Sequence, residues 1–256
     1  MIKQILLCLL VLAIILLHIK LIVKENFNNN ITFLTKTDAI NFLVNNEDQY
    51  YQTFNEMDMH VRNIQNIKEY ENYIRESVIE FPEDTKIRLT NLILILKNLF
   101  QHTNMNYFKG ERANDIEWKI ICVKGKLYES GLPHTRMNII ILPIEYIENS
   151  NDTKILKVLF HELIHVYQRL FPDDVEQFLI TNNYVKYISK SSIPNTRANP
   201  DVDEWIYSKD DIIYTAKYIE NAQSISDVVY SGGNSLFEHP FEHFAYELSE
   251  IIENKN

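Results

Sequence analysis

Residues 158–170 read VLFHELIHVYQRL, and within them stand His161, Glu162 and His165 in the pattern H-E-x-x-H. On an α-helix, positions i and i+4 share a face one turn apart. The imidazoles of His161 and His165 therefore aim at one point, at a spacing that suits a single Zn²⁺. Glu162 follows the first histidine, so it reaches a water at that metal without being a ligand. The chemistry needs those residue types: neutral imidazoles to hold the ion, and a carboxylate to take a proton from an activated water. The flanks predict a buried helix. Asn149, Ser150, Asn151 and Asp152 are N-cap residues. Ile155, Leu156, Leu159, Leu163, Ile164 and Val166 supply a strongly apolar stretch, and Phe171-Pro172 ends it.

Upstream, the pattern changes to strand. Residues 118–123, WKIICV, read as one strand with Gly125 as a turn. Residues 130–135 form a loop, and 138–142, NIIIL, a second strand that stops at Pro143. Further upstream, the region 37–105 is helical. Thr37-Asp38 caps 39–44, a helix spans 47–62, another spans 67–79, and Phe81-Pro82 introduces a long one through Phe100. The buried face of that last helix is Leu89, Leu92, Ile93, Leu96, Leu99 and Phe100. The many Tyr and Phe residues of this half read as core. His60 and His102 stand alone and read as structural or exposed.

At the N-terminus, residues 4–23 are almost uninterruptedly apolar, about 20 residues and so the length that crosses a bilayer. No small-residue cleavage site such as A-x-A follows. The expectation is an uncleaved single-pass transmembrane anchor over 1–24 and a membrane location. A polar linker over 25–36, with Asn28-Asn29-Asn30, then leads to a domain over 37–256, helical over 37–105 and carrying sheet and metal site over 106–256. A net charge of −10 gives nucleic-acid binding no electrostatic support. The two cysteines, Cys8 and Cys122, fall one in the apolar run and one in the domain, which excludes a disulfide within the domain and a cysteine-based zinc site.

A catalytic zinc site takes three protein ligands. The best source of the third is EHPFEHFAYE at 238–247. Pro240 suits the first turn of a helix, which puts Glu242 in that turn. Ala245, three residues on, is small enough to let this helix approach the first. Glu242 is the expected third ligand, with Glu238, His239 and His243 as rivals. The segment between the two helices carries a loop over 189–203. Asp201, Asp203 and Glu204 are acidic, but they lack the glycine and the spacing of an EF-hand, so a structured or substrate-facing loop is expected. Residues 205–207 and 212–216 read as a hairpin turning at 208–211, and 225–230 as a further strand.

His161-Glu162-x-x-His165 followed by Pro240-x-Glu242-x-x-Ala245-Tyr246 resembles the gluzincin type of zinc metallopeptidase. Gly131-Leu132-Pro133-His134-Thr135, Asn199-Pro200-Asp201 and the run from Glu238 to Glu242 also resemble uncharacterised H-E-x-x-H proteins of giant DNA viruses. The metzincin continuation H-E-x-x-H-x-x-G-x-x-H is absent, since Arg169 and the Phe171-Pro172 break follow instead. The gluzincin resemblance implies an α+β fold: a zincin-like domain with a helical N-terminal half, a small mixed sheet and the H-E-x-x-H helix, here preceded by one transmembrane helix. It implies Zn²⁺ as cofactor, Glu162 as general base and a peptide or protein as substrate. That substrate would pair along an edge strand beside the metal helix, for which 139–142 is the candidate. His134 near that edge, and His239 beside Glu242, are expected substrate contacts or supports. Tyr214 or Tyr230 is the expected hydrogen-bond donor to the oxyanion of a tetrahedral intermediate. The viral resemblance implies a host membrane or virion as location. It also keeps a second reading open, a catalytically inactive zincin-like structural or interaction protein.

Overall fold

The computed structural model describes residues 30–231 and 237–255. The chain starts with β1 (Ile31–Phe33), inside the stretch read as linker; its residues, Ile-Thr-Phe, are strand formers. The Thr35 hydroxyl accepts the Asp38 N–H and starts α1 (Lys36–Asn45). The single helix expected over 47–62 is instead a 3₁₀ turn at Tyr50–Thr53 followed by α2 (Glu56–Val61). Asn46 and Gln49 stand in the left-handed region, with φ of 50° and 57°. Asn55 then begins a new helix through a reciprocal cap with Asp58. Next, α3 (Ile67–Ser77) runs directly into β2 (Val78–Ile79), and α4 (Glu83–Phe100) follows Pro82. A two-residue-per-strand hairpin, β3 (Asn104–Met105) and β4 (Phe108–Lys109), leads into α5 (Gly110–Asp115).

The main sheet adds β5 (Trp118–Val123), β6 (His134–Arg136) and β7 (Ile139–Pro143), in the order β1-β5-β7-β6. Strands β1, β5 and β7 are parallel, β6 is antiparallel to β7, and β2 pairs antiparallel with the end of β5. Both faces are covered, which explains why β7 throughout and β5 apart from Lys119 are apolar rather than alternating. Trp118, Ile120, Cys122, Ile140 and Leu142 face a core shared with α4. Ile121, Val123, Ile139 and Ile141 face a second core with α1 and α3. Strand β7 is therefore interior, and the expectation of 139–142 as the substrate-pairing edge is corrected: the edge is β6. The Thr135 N–H of β6 is itself taken by the Asp201 carboxylate at 2.7 Å.

Short α6 (Ile144–Glu148) precedes α7 (Asp152–Leu170), the helix of the H-E-x-x-H motif. The Asn151 side chain accepts the Lys154 N–H at 2.9 Å and caps it. Phe171 ends it, and Pro172 opens α8 (Pro172–Thr181). A three-stranded antiparallel sheet follows, from β8 (Val185–Ser189), β9 (Trp205–Lys209) and β10 (Ile212–Tyr214). Asp210 and Asp211, both at positive φ, turn the expected hairpin. Ala216 belongs to the next pair, β11 (Ala216–Tyr218) with β12 (Val228–Tyr230). The last helix is α9 (Pro240–Ser249), with Pro240 in its first turn. It lies on α7, and Phe244, Ala245 and Leu248 enter the same core as Leu159, Leu163 and Val166.

The described residues thus form an α+β architecture, but the membrane part of the expectation is corrected. Among them no helix is long and apolar enough to cross a membrane, so a single-pass anchor and a membrane location are not supported. The apolar run over 4–23 lies outside the described residues.

Candidate metal centre

Helix α7 carries His161 and His165 on one face, and α9 brings Glu242 against them. The Nε2 atoms of the two histidines are 3.1 Å apart. Glu242 Oε2 is 3.3 Å from His161 Nε2 and 3.8 Å from His165 Nε2. These three residues form the one histidine, cysteine or carboxylate cluster with metal-ligand spacing among the described residues. Zinc bound tetrahedrally at about 2.0–2.2 Å keeps its ligand atoms roughly 3.3–3.6 Å apart, so the triangle, with edges from 3.1 to 3.8 Å, has the size that suits zinc. The donor set, two imidazole nitrogens and one carboxylate oxygen, is also of the right chemical type. Glu162 supplies a further sign of fit: its Oε2 is buried and has no hydrogen-bond partner. Burial first, then the Asp201 and Glu242 carboxylates, push the Glu162 carboxyl well above its usual range.

His165 is fully buried and its orientation is determined by its partners. Gln168, one turn on, donates from Nε2 to the Phe241 carbonyl at 2.8 Å. Its Oε1 therefore faces His165 Nδ1, at 3.0 Å, and accepts a hydrogen bond from the Nδ1–H. That leaves the Nε2 lone pair directed at Glu242 and His161. Burial also keeps the His165 ring neutral by lowering its pKa. The same amide joins α7 to the start of α9.

Helix α9 begins at His239, whose Nδ1 accepts the Phe241 N–H and whose Nε2 is 3.1 Å from Asp203 Oδ1. This rival for third ligand is thus a helix cap. His243 turns away, with Nδ1 3.0 Å from the Tyr184 hydroxyl. Glu238 is paired with Arg197 and Asn199. Glu242 alone of the four meets both histidines. Burial works against its charge, but its surroundings, including the Asn199 amide that donates to Oε1, hold its carboxyl well below the usual range.

The centre opens into a cleft of about 540 Å³, lined by His161, Glu162 and Glu242 with Leu132, Pro133, Tyr146, Val158, Tyr230 and Tyr246. Tyr230 is therefore brought to the site. Tyr214 is not among the lining residues; its ring packs edge-on against Tyr184, 5.2 Å between centroids. His134 reaches the cleft wall with both ring nitrogens engaged, Nδ1 by Leu132 O and Nε2 by the Tyr128 hydroxyl. Sequence reasoning gave no role to Gln168, Asn199, Arg169 or Tyr246. Gln168 and Tyr246 carried a signal, since each lies on the ligand face of its helix, at i+3 from His165 and i+4 from Glu242. The Tyr246 ring packs 4.6 Å from the His161 ring. Arg169 acts across the fold and carried none, while Asn199 stood out only within Asn199-Pro200-Asp201, with no role attached. Compared with known proteins, the chain matches no protein-family model, no curated protein sequence and no solved structure, so the reading of this centre rests on its own geometry.

Proposed function

We propose that this chain is a zinc-dependent metallopeptidase of gluzincin type, hydrolysing peptide bonds in a peptide or protein substrate. One observation carries the proposal: Nε2 of His161, Nε2 of His165 and Oε2 of Glu242 converge at zinc-ligand spacing beside the unpartnered oxygen of Glu162. Zinc at such a centre polarises the scissile carbonyl and makes water a stronger acid. Glu162 is the general base: it takes a proton from the attacking water and passes it to the leaving amine. Tyr230 and Tyr246 both line the cleft, so their hydroxyls are the candidate donors to a developing oxyanion. Gln168 keeps His165 in the tautomer that presents Nε2.

The experiment is peptide-library cleavage by the wild type and by Glu162→Gln, with metal content measured for both. Zinc in both chains and hydrolysis only in the wild type supports the proposal. The capped edge of β6 favours a second reading, a zincin-like chain that retains the centre without hydrolysis. Bound zinc with equal, or no, cleavage in the two chains selects that reading.

A further inference from the structure

We infer that Asn199 is a positioning residue for the third metal ligand: its amide holds one oxygen of Glu242 so that the other is presented to His161 and His165. This rests on the metal-centre reading above. Asn199 Nδ2 donates to Glu242 Oε1 at 3.1 Å and to Glu238 Oε1 at 2.5 Å. Its Oδ1 accepts the Asp201 N–H at 2.9 Å. A flipped amide would turn an oxygen toward two carboxylates and an N–H toward an N–H, so the partners dictate the orientation. Two carboxylates beside one donor would repel each other, but the Arg197 guanidinium pairs with Glu238 and removes that conflict. Glu242 is left with Oε2 alone facing the imidazoles.

The segment bearing Asn199 is held from other parts of the fold, so it acts as a fixed arm. Arg169 of α7 donates to the Pro200 carbonyl at 2.6 Å. Asp201 accepts from the N–H and the hydroxyl of Thr135, both at 2.7 Å. The Ala198 N–H donates to Asp58 at 2.9 Å, and Asn55 donates to the Thr196 carbonyl at 2.8 Å. The long segment between the second histidine and Glu242 thus folds back to aim the ligand. Without Asn199, both oxygens of Glu242 are free to face a metal, and the carboxylate is free to rotate.

The test uses the full chain as wild type, Asn199→Asp and Asn199→Ala. The alanine variant removes the donor without adding charge, whereas the aspartate variant keeps an acceptor for the Asp201 N–H but sets a third carboxylate against Glu238 and Glu242, so metal-free unfolding of the alanine variant separates lost aim from lost fold. Zinc Kd is read by competition with a chromophoric chelator, the ligand sphere by the visible spectrum after Co²⁺ substitution, and folding by thermal unfolding of the metal-free chain. The expected result is a zinc Kd raised about 10–100-fold in both variants, with altered Co²⁺ bands, a cooperative metal-free unfolding transition kept in Asn199→Ala, and a metal-free Tm lower in Asn199→Asp than in Asn199→Ala. Unchanged Kd and unchanged Co²⁺ bands in both variants overturn the inference alone. A wild type that binds no zinc overturns the metal centre and the inference with it. Weakened variants of a chain that cleaves no peptide leave the inference standing and remove the peptidase reading.

Discussion

At the scale of single residues, two of the three proposed ligands have a neighbour that sets their direction, and for Glu242 that neighbour is Asn199. Gln168 does this for His165, and its own amide is fixed by the Phe241 carbonyl. Gln168→Leu is therefore expected to weaken zinc binding about 10–100-fold, measured by chelator competition. Glu162 has no such neighbour on Oε2, which fits the proposed role of general base. Glu162→Gln is expected to lower kcat by about 10²–10⁴-fold and to leave zinc content unchanged. His161, Glu162 and His165 were legible because helical spacing alone brings them together. Glu242 was chosen over Glu238, His239 and His243 through Pro240 and Ala245, but what occupies those three rivals was not legible. It depends on which side chains Arg197, Asp203 and Tyr184 occupy, and local spacing does not encode it.

At the scale of elements, the site depends on how closely α9 lies on α7. Ala245 is fully buried in that interface. Ala245→Leu adds three carbons to a packed contact and is expected to cost about 1–3 kcal/mol of stability, read by denaturant unfolding. It should also weaken zinc binding, because α9 carries Glu242. The helices α4 and α7 and the strands β5 and β7 were legible from apolar periodicity and terminal residues. Strand order was not. Apolar residues at every position mark β7 as buried on both faces, but they do not say that β6 lies outside it. The break in the helix expected over 47–62 was also hidden, because Tyr50, Tyr51, Phe54, Met57 and Val61 keep nearly helical spacing while Asn46 and Gln49 adopt left-handed backbone.

At the scale of the whole molecule, a buried ionic cluster ties the helical half to the cleft. Glu129 accepts from Arg62 Nε at 3.0 Å and Nη2 at 2.7 Å, and from the hydroxyls of Tyr50 and Tyr70. Glu129, Ser130 and Gly131 are consecutive left-handed residues. Such backbone costs about 1–2 kcal/mol for each residue other than glycine, and the Glu129 contacts hold it in place next to Leu132 and Pro133 of the cleft wall. Burial opposes the charge on Glu129, yet Arg62 brings its carboxyl from 4.5 down to about 2. A folded pKa below the unfolded one stabilises the chain fully above the unfolded value and is lost as pH falls through the folded one. The Tm is therefore expected to fall between pH 4.5 and about 2. Glu129→Gln should be less stable near neutrality, by up to about 3–5 kcal/mol, because buried Arg62 keeps only the more distant Asp58 carboxylate at 3.4 Å as a charged partner, and should show a shallower acid slope. Differential scanning calorimetry across that range checks both.

The central claim is that His161, His165 and Glu242 together hold one zinc ion. The zinc X-ray absorption spectrum of the purified full chain, compared with that of Glu242→Ala, tests it most directly. The expected result is a zinc surrounded by two imidazole nitrogens and carboxylate oxygen, with the oxygen contribution changed or the zinc lost in the variant. A spectrum with fewer than two imidazoles, or one identical in Glu242→Ala, would contradict it.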